Sequence, residues 1–194
     1  CPLKAGIGVR IPAPQFMMDI TRENILKYAE LYDVKATSKD KNVENEIKQL
    51  LQKQRYLTKV AFVKLGMWKS PRPKKHYEAN DEQKISGVTK CSFVTRDERE
   101  RVESLLGTNG GLKGVAYPVA SVILHFAFPD RYSILDFRTL DSLGWQKPAS
   151  YNFEFWMKYC QRIREISQET GLPIRIIDKA LWQYSKEHKN KTCL

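Results

Sequence analysis

Asp136 is the side chain of this sequence that is best placed for chemistry. It follows the apolar pair Ile134-Leu135 and stands at the start of a short helical pattern. A carboxylate at such a junction is partly removed from water, where it can take up a proton or stabilise a positive charge. Aspartate is also among the best helix N-caps, so a purely structural role is the alternative interpretation of Asp136.

A second candidate is the glycine turn, residues Leu112 to Ala116, which opens an apolar helix from Val119 to Phe128. Such a turn presents free backbone N–H groups and the positive end of the helix dipole, which together bind a phosphate. Gly114 permits close approach of another backbone. The alternative is that the glycine run beginning at Gly107 is only a flexible connection.

These residues resemble the helix-hairpin-helix DNA glycosylase superfamily, whose members carry a hairpin of the form L-x-G-V-G, an apolar helix and an aspartate. The matching positions are Leu112, Gly114, Val115, Ala120, Leu124 and Asp136. The resemblance implies two helical lobes that bind duplex DNA, and a monofunctional enzyme in which Asp136 assists hydrolysis of the N-glycosidic bond of a flipped base. It also implies that Lys113 and the amides of Gly114, Val115 and Ala116 hold a DNA phosphate.

The sequence departs from that family at three points. Pro118 stands where bifunctional members have a lysine nucleophile, so no lyase chemistry is expected there. Ala116 replaces the last hairpin glycine. The four cysteines form no CxxC pair and neither His76 nor His188 has a partner at ligand spacing, so no iron–sulfur cluster, other cofactor or metal is expected.

Positive charge is concentrated in one stretch of the chain. The formal net charge is +11, and the segment from Ile47 to Tyr77 contains nine Lys or Arg residues and no Asp or Glu. Because basic side chains that neutralise phosphates release counterions, duplex DNA is the predicted partner. The predicted phosphate contacts in this stretch are Lys69, Arg72, Lys74 and Lys75. A solvated basic face without a ligand is the alternative.

Base extrusion requires aromatic side chains that receive the base and a wedge that fills the gap it leaves. Trp68, Tyr77 and Tyr117 are the candidates for these tasks. A tryptophan that ends a helix in the core is the alternative for Trp68. Trp156 and Trp182 are expected in the core because they lie on amphipathic helical patterns.

Helices must position all of these residues, since apolar positions recur at helical spacing and no segment alternates as a strand does. Helices are expected at about 21–33, 43–51, 57–68, 96–106, 119–128, 156–170 and 174–184, with a further short helix that Asp136 or Ser133 caps and that runs through Leu140 to Leu143. Thr95 and Glu98 match a capping box. Pro71 and Pro73 predict a loop, and residues 70–94 carry no pattern that assigns an element.

The chain of 194 residues is therefore predicted to be one all-α domain, with the hairpin region at about 107–128 and a frayed tail at about 187–194. It has no apolar run of membrane-spanning length and no secretion signal, which predicts an intracellular protein, cytoplasmic or nucleoid-associated. A monomer is expected. Two other functions stay open. One is a non-catalytic DNA-binding module, and the other is a component of a nucleic-acid-processing or defence complex that binds RNA or a protein.

Overall fold

The structure, a computed structural model, describes residues 17–189. Every regular element in this range is helical, and the range contains no strand. The predicted all-α class is therefore confirmed. None of the helices described has the length and apolar character required to cross a bilayer.

Ten α-helices follow one another along the described part of the chain, with a short 3-10 turn at Gly107–Asn109 between the sixth and seventh. They are α1 (Arg22–Lys35), α2 (Ser38–Lys53), α3 (Lys59–Lys69), α4 (Lys74–Glu78), α5 (Glu82–Val94), α6 (Glu98–Glu103), α7 (Tyr117–Ala127), α8 (Phe137–Ser142), α9 (Phe153–Thr170) and α10 (Ile174–Lys189).

Short polar side chains begin most of these helices. The capping residues, each accepting a hydrogen bond from a backbone N–H two or three positions on, are Thr21, Thr37, Thr58, Asp81, Asp97, Asp136 and Asn152. The predicted capping box at Thr95 is wrong, because Asp97 accepts from the N–H of Glu100 and begins α6 instead. A carboxylate outcompetes a hydroxyl there because it also interacts with the helix dipole.

The stretch from residue 70 to 94 is more regular than its sequence indicates. The proline loop covers only residues 70–73, since α4 begins directly after Pro73, and α5 fills 82–94. Proline does not prevent this, because a helix needs no N–H donor at its first positions. At the other end α10 continues to Lys189, three residues into the predicted frayed tail, and residues 190–194 lie outside the described range.

The buried helix α7 lies against α2 and α3, while α10 packs along α1, α8 and α9. His125 of α7 is buried, and its Nδ1 lies 2.8 Å from the backbone oxygen of Tyr132. Burial lowers the pKa of His125 to about 3, so the imidazole is neutral and donates this hydrogen bond. Trp156 is fully buried, as predicted. This packing leaves α1, α3, α8 and α10 around one opening.

Candidate active site

A cleft of about 290 Å³ lies where α1, α3, α8 and α10 meet. Three aromatic side chains, Tyr32, Trp68 and Trp182, line it together with Lys69 and Asp136. Small-molecule pockets begin at about 300 Å³, so this volume suits a group the size of one heterocycle. Apolar ring faces and a carboxylate therefore share one concave site.

Asp136 and Lys69 form an ion pair in this cleft. The Lys69 Nζ lies 2.6 Å from Asp136 Oδ2, and the two side chains are 8% and 19% exposed. The other oxygen, Oδ1, accepts a hydrogen bond from the N–H of Arg138 at 3.0 Å and so caps α8. The same carboxylate thus has the structural role considered above and also lines the cleft.

The segment that leads into α8 is held rigidly by side chains of two other helices. Asp178 of α10 accepts from the Ser133 hydroxyl at 2.6 Å and from the Ile134 N–H at 3.1 Å. The Leu135 N–H donates to the hydroxyl of Ser121 on α7 at 2.9 Å. Burial raises the pKa of Asp178 to about 6, and these hydrogen bonds oppose that rise. The backbone before the cleft carboxylate therefore has a fixed position.

Arg175 forms another wall of the cleft, and Glu44 behind it completes a buried ion pair. The Arg175 guanidinium carbon lies 5.4 Å from the ring centroid of Tyr32 and 5.6 Å from that of Trp68. Burial opposes the charged form of Arg175, but the Glu44 carboxylate outweighs it and raises the pKa of the guanidinium. The cation holds both rings in place through their negative faces.

The third wall is a stripe of α10 that includes Trp182, Gln183 and Lys186. The Lys186 Nζ lies 4.8 Å from the ring centroid of Trp182. Gln183 is 1% exposed, and its Nε2 donates to the carboxylate of Glu187. Its Oε1 accepts no hydrogen bond from any residue that the structure describes.

The glycine turn lies in a compact hairpin that backbone hydrogen bonds close. The Gly107 N–H donates to the Val115 oxygen at 2.9 Å, and the Val115 N–H donates to the Leu112 oxygen at 3.0 Å. Gly114 has φ +85°. A Cβ at this position would lie 2.8 Å from the Tyr77 ring, so only glycine fits without strain.

The amides of this turn differ from the predicted set in one respect. Val115 donates its N–H within the turn, and the Lys113 N–H donates to Asn80 Oδ1 at 2.8 Å. The N–H groups of Gly114 and Ala116 have no acceptor among residues 17–189. These two amides are the ones available to a phosphate, because a donor already paired inside the fold is costly to redirect.

The predicted aromatic residues occupy three different environments. Trp68 lines the cleft, whereas Tyr117 packs against Trp156 in a T-shaped contact, with the centroids 6.3 Å apart. Tyr77 is fully buried between α3 and the glycine turn, and its hydroxyl donates to the Ser70 oxygen at 3.1 Å. Tyr77 therefore supports the hairpin and presents no surface that could receive a base.

The basic residues predicted to contact DNA also lie in two different environments. Arg72, Lys74, Lys75 and Lys113 are exposed, and Lys74 lies 3.6 Å from Glu78. Lys69 is buried against Asp136, so its charge is already neutralised and the expectation that it binds a phosphate does not fit its position.

Sequence reasoning missed the walls of the cleft. Trp182, predicted in the core, is only partly buried and lines the cleft, and Tyr32, Arg175, Gln183 and Lys186 were not singled out. The available signal was the polar stripe of α10, which repeats at helical spacing beside the apolar stripe of the same helix. A polar stripe of this kind looks identical to a solvated face until a neighbouring helix covers it.

Residues 17–189 contain no group of three or more His, Cys, Asp and Glu side chains arranged to hold a metal ion. Comparison of the chain with protein-family models, with curated proteins and with solved structures gave no match. Function is therefore inferred from the cleft, its carboxylate and the glycine turn.

Proposed function

We propose that this protein binds duplex DNA and hydrolyses the N-glycosidic bond of a base extruded into the cleft. The observation that carries the proposal is the Asp136 carboxylate, held by Lys69 inside a cleft of single-base size whose walls include Trp68 and Trp182. The resemblance of the glycine turn and the aspartate to helix-hairpin-helix glycosylases supports the same assignment.

The chemistry requires a fixed negative charge beside the sugar. As the C1′–N bond breaks, its electron pair leaves with the base and positive charge develops on the sugar ring. The Asp136 carboxylate stabilises that charge and takes the proton of the water that adds to C1′, while the departing base gains a proton from solvent. Lys69 and the α8 cap hold the carboxylate in place, so little reorganisation is needed.

In the proposed complex the DNA backbone lies against the glycine turn. The free amides of Gly114 and Ala116 precede α7 and suit one phosphate, and Lys113 projects from the same turn. Arg72 and Lys75 are exposed on the segment that Tyr77 joins to the turn. Contacts of this kind position a duplex without reading its sequence.

Base release is the direct test. Duplexes that contain uracil, deaminated purines, alkylated purines or adenine mispairs are incubated with the protein, and abasic sites are revealed by alkali. We expect release of at least one base and loss of about a thousandfold in its rate for Asp136→Asn, which keeps the capping oxygen but not the charge. Asp97→Asn is the matched control, since Asp97 also caps a helix but does not line the cleft.

A non-catalytic DNA-binding module is the second candidate, because Asp136 Oδ1 caps α8 and this alone would explain the aspartate. Duplex binding without release of any base, with equal behaviour of the Asp136→Asn and wild-type proteins, would favour that role. Release that survives Asp136→Asn would instead place the chemistry on another residue.

A further inference from the structure

The cleft contains one hydrogen-bond acceptor that the fold leaves unpaired. The carboxylate of Glu187 can only accept, so the Gln183 amide must face it with Nε2, which leaves Oε1 as the free atom. Buried acceptors are rarely left without a donor, and an exception calls for a specific partner. A ligand N–H that reaches Oε1 from the cleft would be such a partner.

Two cationic side chains of the cleft, Arg175 and Lys186, also have N–H groups without an acceptor among the described residues. Arg175 uses Nε and Nη2 on Glu44 and Tyr32, and its Nη1 has no acceptor within residues 17–189. Lys186 lies over Trp182 without a carboxylate within ion-pair distance in the described chain. A ligand that satisfies them must present an acceptor oxygen, and on a neutral base that acceptor is a carbonyl.

The same cations disfavour a positively charged ligand. The Tyr32, Trp68 and Trp182 rings already have Arg175 or Lys186 within 6 Å of their centroids. The residues lining the cleft include four basic and three acidic side chains, so no excess of negative charge compensates for a second cation. These three rings therefore already make cation–π contacts with side chains of the protein itself.

We infer that the cleft selects a neutral base with a lactam edge, in which an N–H stands beside a C=O, and that its substrates are deaminated bases such as hypoxanthine and uracil. This inference rests on the proposed function for the statement that the base arrives by extrusion from DNA. The N–H donates to Gln183 Oε1, and the carbonyl accepts from Arg175 or Lys186.

The edge pattern separates deaminated bases from their parents. With the base held by its sugar in the same orientation, adenine and cytosine place a ring nitrogen acceptor against Gln183 Oε1 and an amino donor against the cations, which is the reverse of the lactam pattern. Guanine and thymine also have a lactam edge, but in a matched duplex their pairing opposes extrusion. Deaminated bases are mispaired with the original partner, which lowers the cost of flipping.

The first test measures the cleft without catalysis. Free hypoxanthine and free purine, which lacks the lactam edge, are titrated against the protein and followed by tryptophan fluorescence. We expect hypoxanthine to bind about tenfold or more tightly than purine, and Gln183→Met or Lys186→Met to remove most of that preference. Equal binding of the two bases, no hypoxanthine binding, or an unchanged preference in both variants overturns the inference.

Gln161→Met is the matched control. Gln161 of α9 also donates to a glutamate one turn on, Glu165, at 3.1 Å, but its Oε1 accepts from Arg164 at 2.9 Å and it does not line the cleft. The control therefore removes the same kind of side-chain pair without changing the free acceptor, and the preference for hypoxanthine should persist.

The second test uses duplexes that carry hypoxanthine opposite thymine, purine opposite thymine, or the cationic 7-methylguanine opposite cytosine. Faster release of hypoxanthine than of the other two supports the inference. Release of 7-methylguanine without hypoxanthine leaves the proposed function standing and overturns this inference. Selective binding of free hypoxanthine with no release from any duplex would support recognition of a lactam edge by the cleft. It would contradict the proposed glycosylase activity.

Discussion

The cleft and the exposed segment beside the glycine turn use positive charge in opposite ways. Lys69 ends α3 inside the cleft and is neutralised by Asp136, whereas Arg72, a few residues further on, is exposed and forms no ion pair within the described chain. A buried pair orders a site, and an exposed cation attracts a polyanion. One uninterrupted basic run therefore contains residues with different tasks.

The two regions also differ in how they are held. Side chains of α7 and α10 fix the backbone that leads to Asp136. Backbone hydrogen bonds and the contact of Gly114 with Tyr77 fix the glycine turn. Substitutions in the cleft should thus affect chemistry first, and substitutions at the turn should affect folding and DNA binding.

After Asp136→Asn, removal of the Lys69 ammonium should have the largest effect. Lys69→Met leaves the Asp136 carboxylate without its cation, and we expect a loss of about a hundredfold in base release and of about 3 kcal/mol in the free energy of unfolding. Lys64→Met is the control, because Lys64 pairs with Glu46 at 2.5 Å on the exposed surface and should cost under about 1 kcal/mol. Equal losses in the free energy of unfolding for the two variants would show that the Lys69–Asp136 pair stabilises the fold no more than an exposed ion pair does.

A methyl group at the glycine turn comes next. Gly114→Ala combines a left-handed backbone with a clash against Tyr77, which we expect to destabilise the fold by about 2 to 4 kcal/mol in urea unfolding. Gly87→Ala adds the same methyl group in α5, where nothing lies within 4 Å, and should stabilise by about 0.5 to 1 kcal/mol. If Gly114→Ala were neutral, the turn would tolerate a different backbone conformation.

The buried His125 should make the stability of the fold depend on pH, and it lies in neither the cleft nor the exposed segment. The pKa of His125 is about 3 in the fold, against 6.5 when exposed, so between these values the unfolded state binds more protons and stability falls as pH falls. His125→Gln keeps a donor for Tyr132 and removes this titration.

Urea unfolding at several pH values measures the difference. Between about pH 4 and pH 6 we expect the free energy of unfolding of the wild type to lose up to about 1.4 kcal/mol per pH unit relative to His125→Gln as pH falls. Asp178 acts in the opposite sense, because its pKa is raised from 3.8 to about 6, but it is present in both proteins. Parallel pH profiles would mean that His125 is accessible to protons in the native state.

The smallest effect is expected at the exposed segment. Arg72→Gln should weaken duplex binding a few fold and reduce the slope of log affinity against log salt by about 0.9, the contribution of one phosphate. Arg162→Gln is the control, since Arg162 is paired with Glu165 and Glu169 on α9. An unchanged slope for Arg72→Gln would move the DNA footprint away from this segment.

Local sequence determined much of the helical framework. Thr21 begins α1 by accepting from the Asn24 N–H, and Gly171 ends α9 in a left-handed conformation that glycine adopts without strain. The burial of α7 follows from its uniformly apolar residues. These features depend on neighbours within a few positions, and such neighbours are readable from one chain. The mistaken cap at Thr95 arose where two suitable residues compete within one turn.

Only the tertiary structure decided which charges and rings face each other. Lys69 and Asp136 form an ion pair although α4 to α7 lie between them in the sequence. The cleft that they share is completed by Tyr32 of α1 and by Trp182 and Gln183 of α10. The assignment of Tyr77 to the core and of Trp182 to the cleft was likewise invisible in their local patterns. Helical periodicity shows that a residue lies on one face of its own helix, but the helix that covers this face is chosen by packing across the whole molecule.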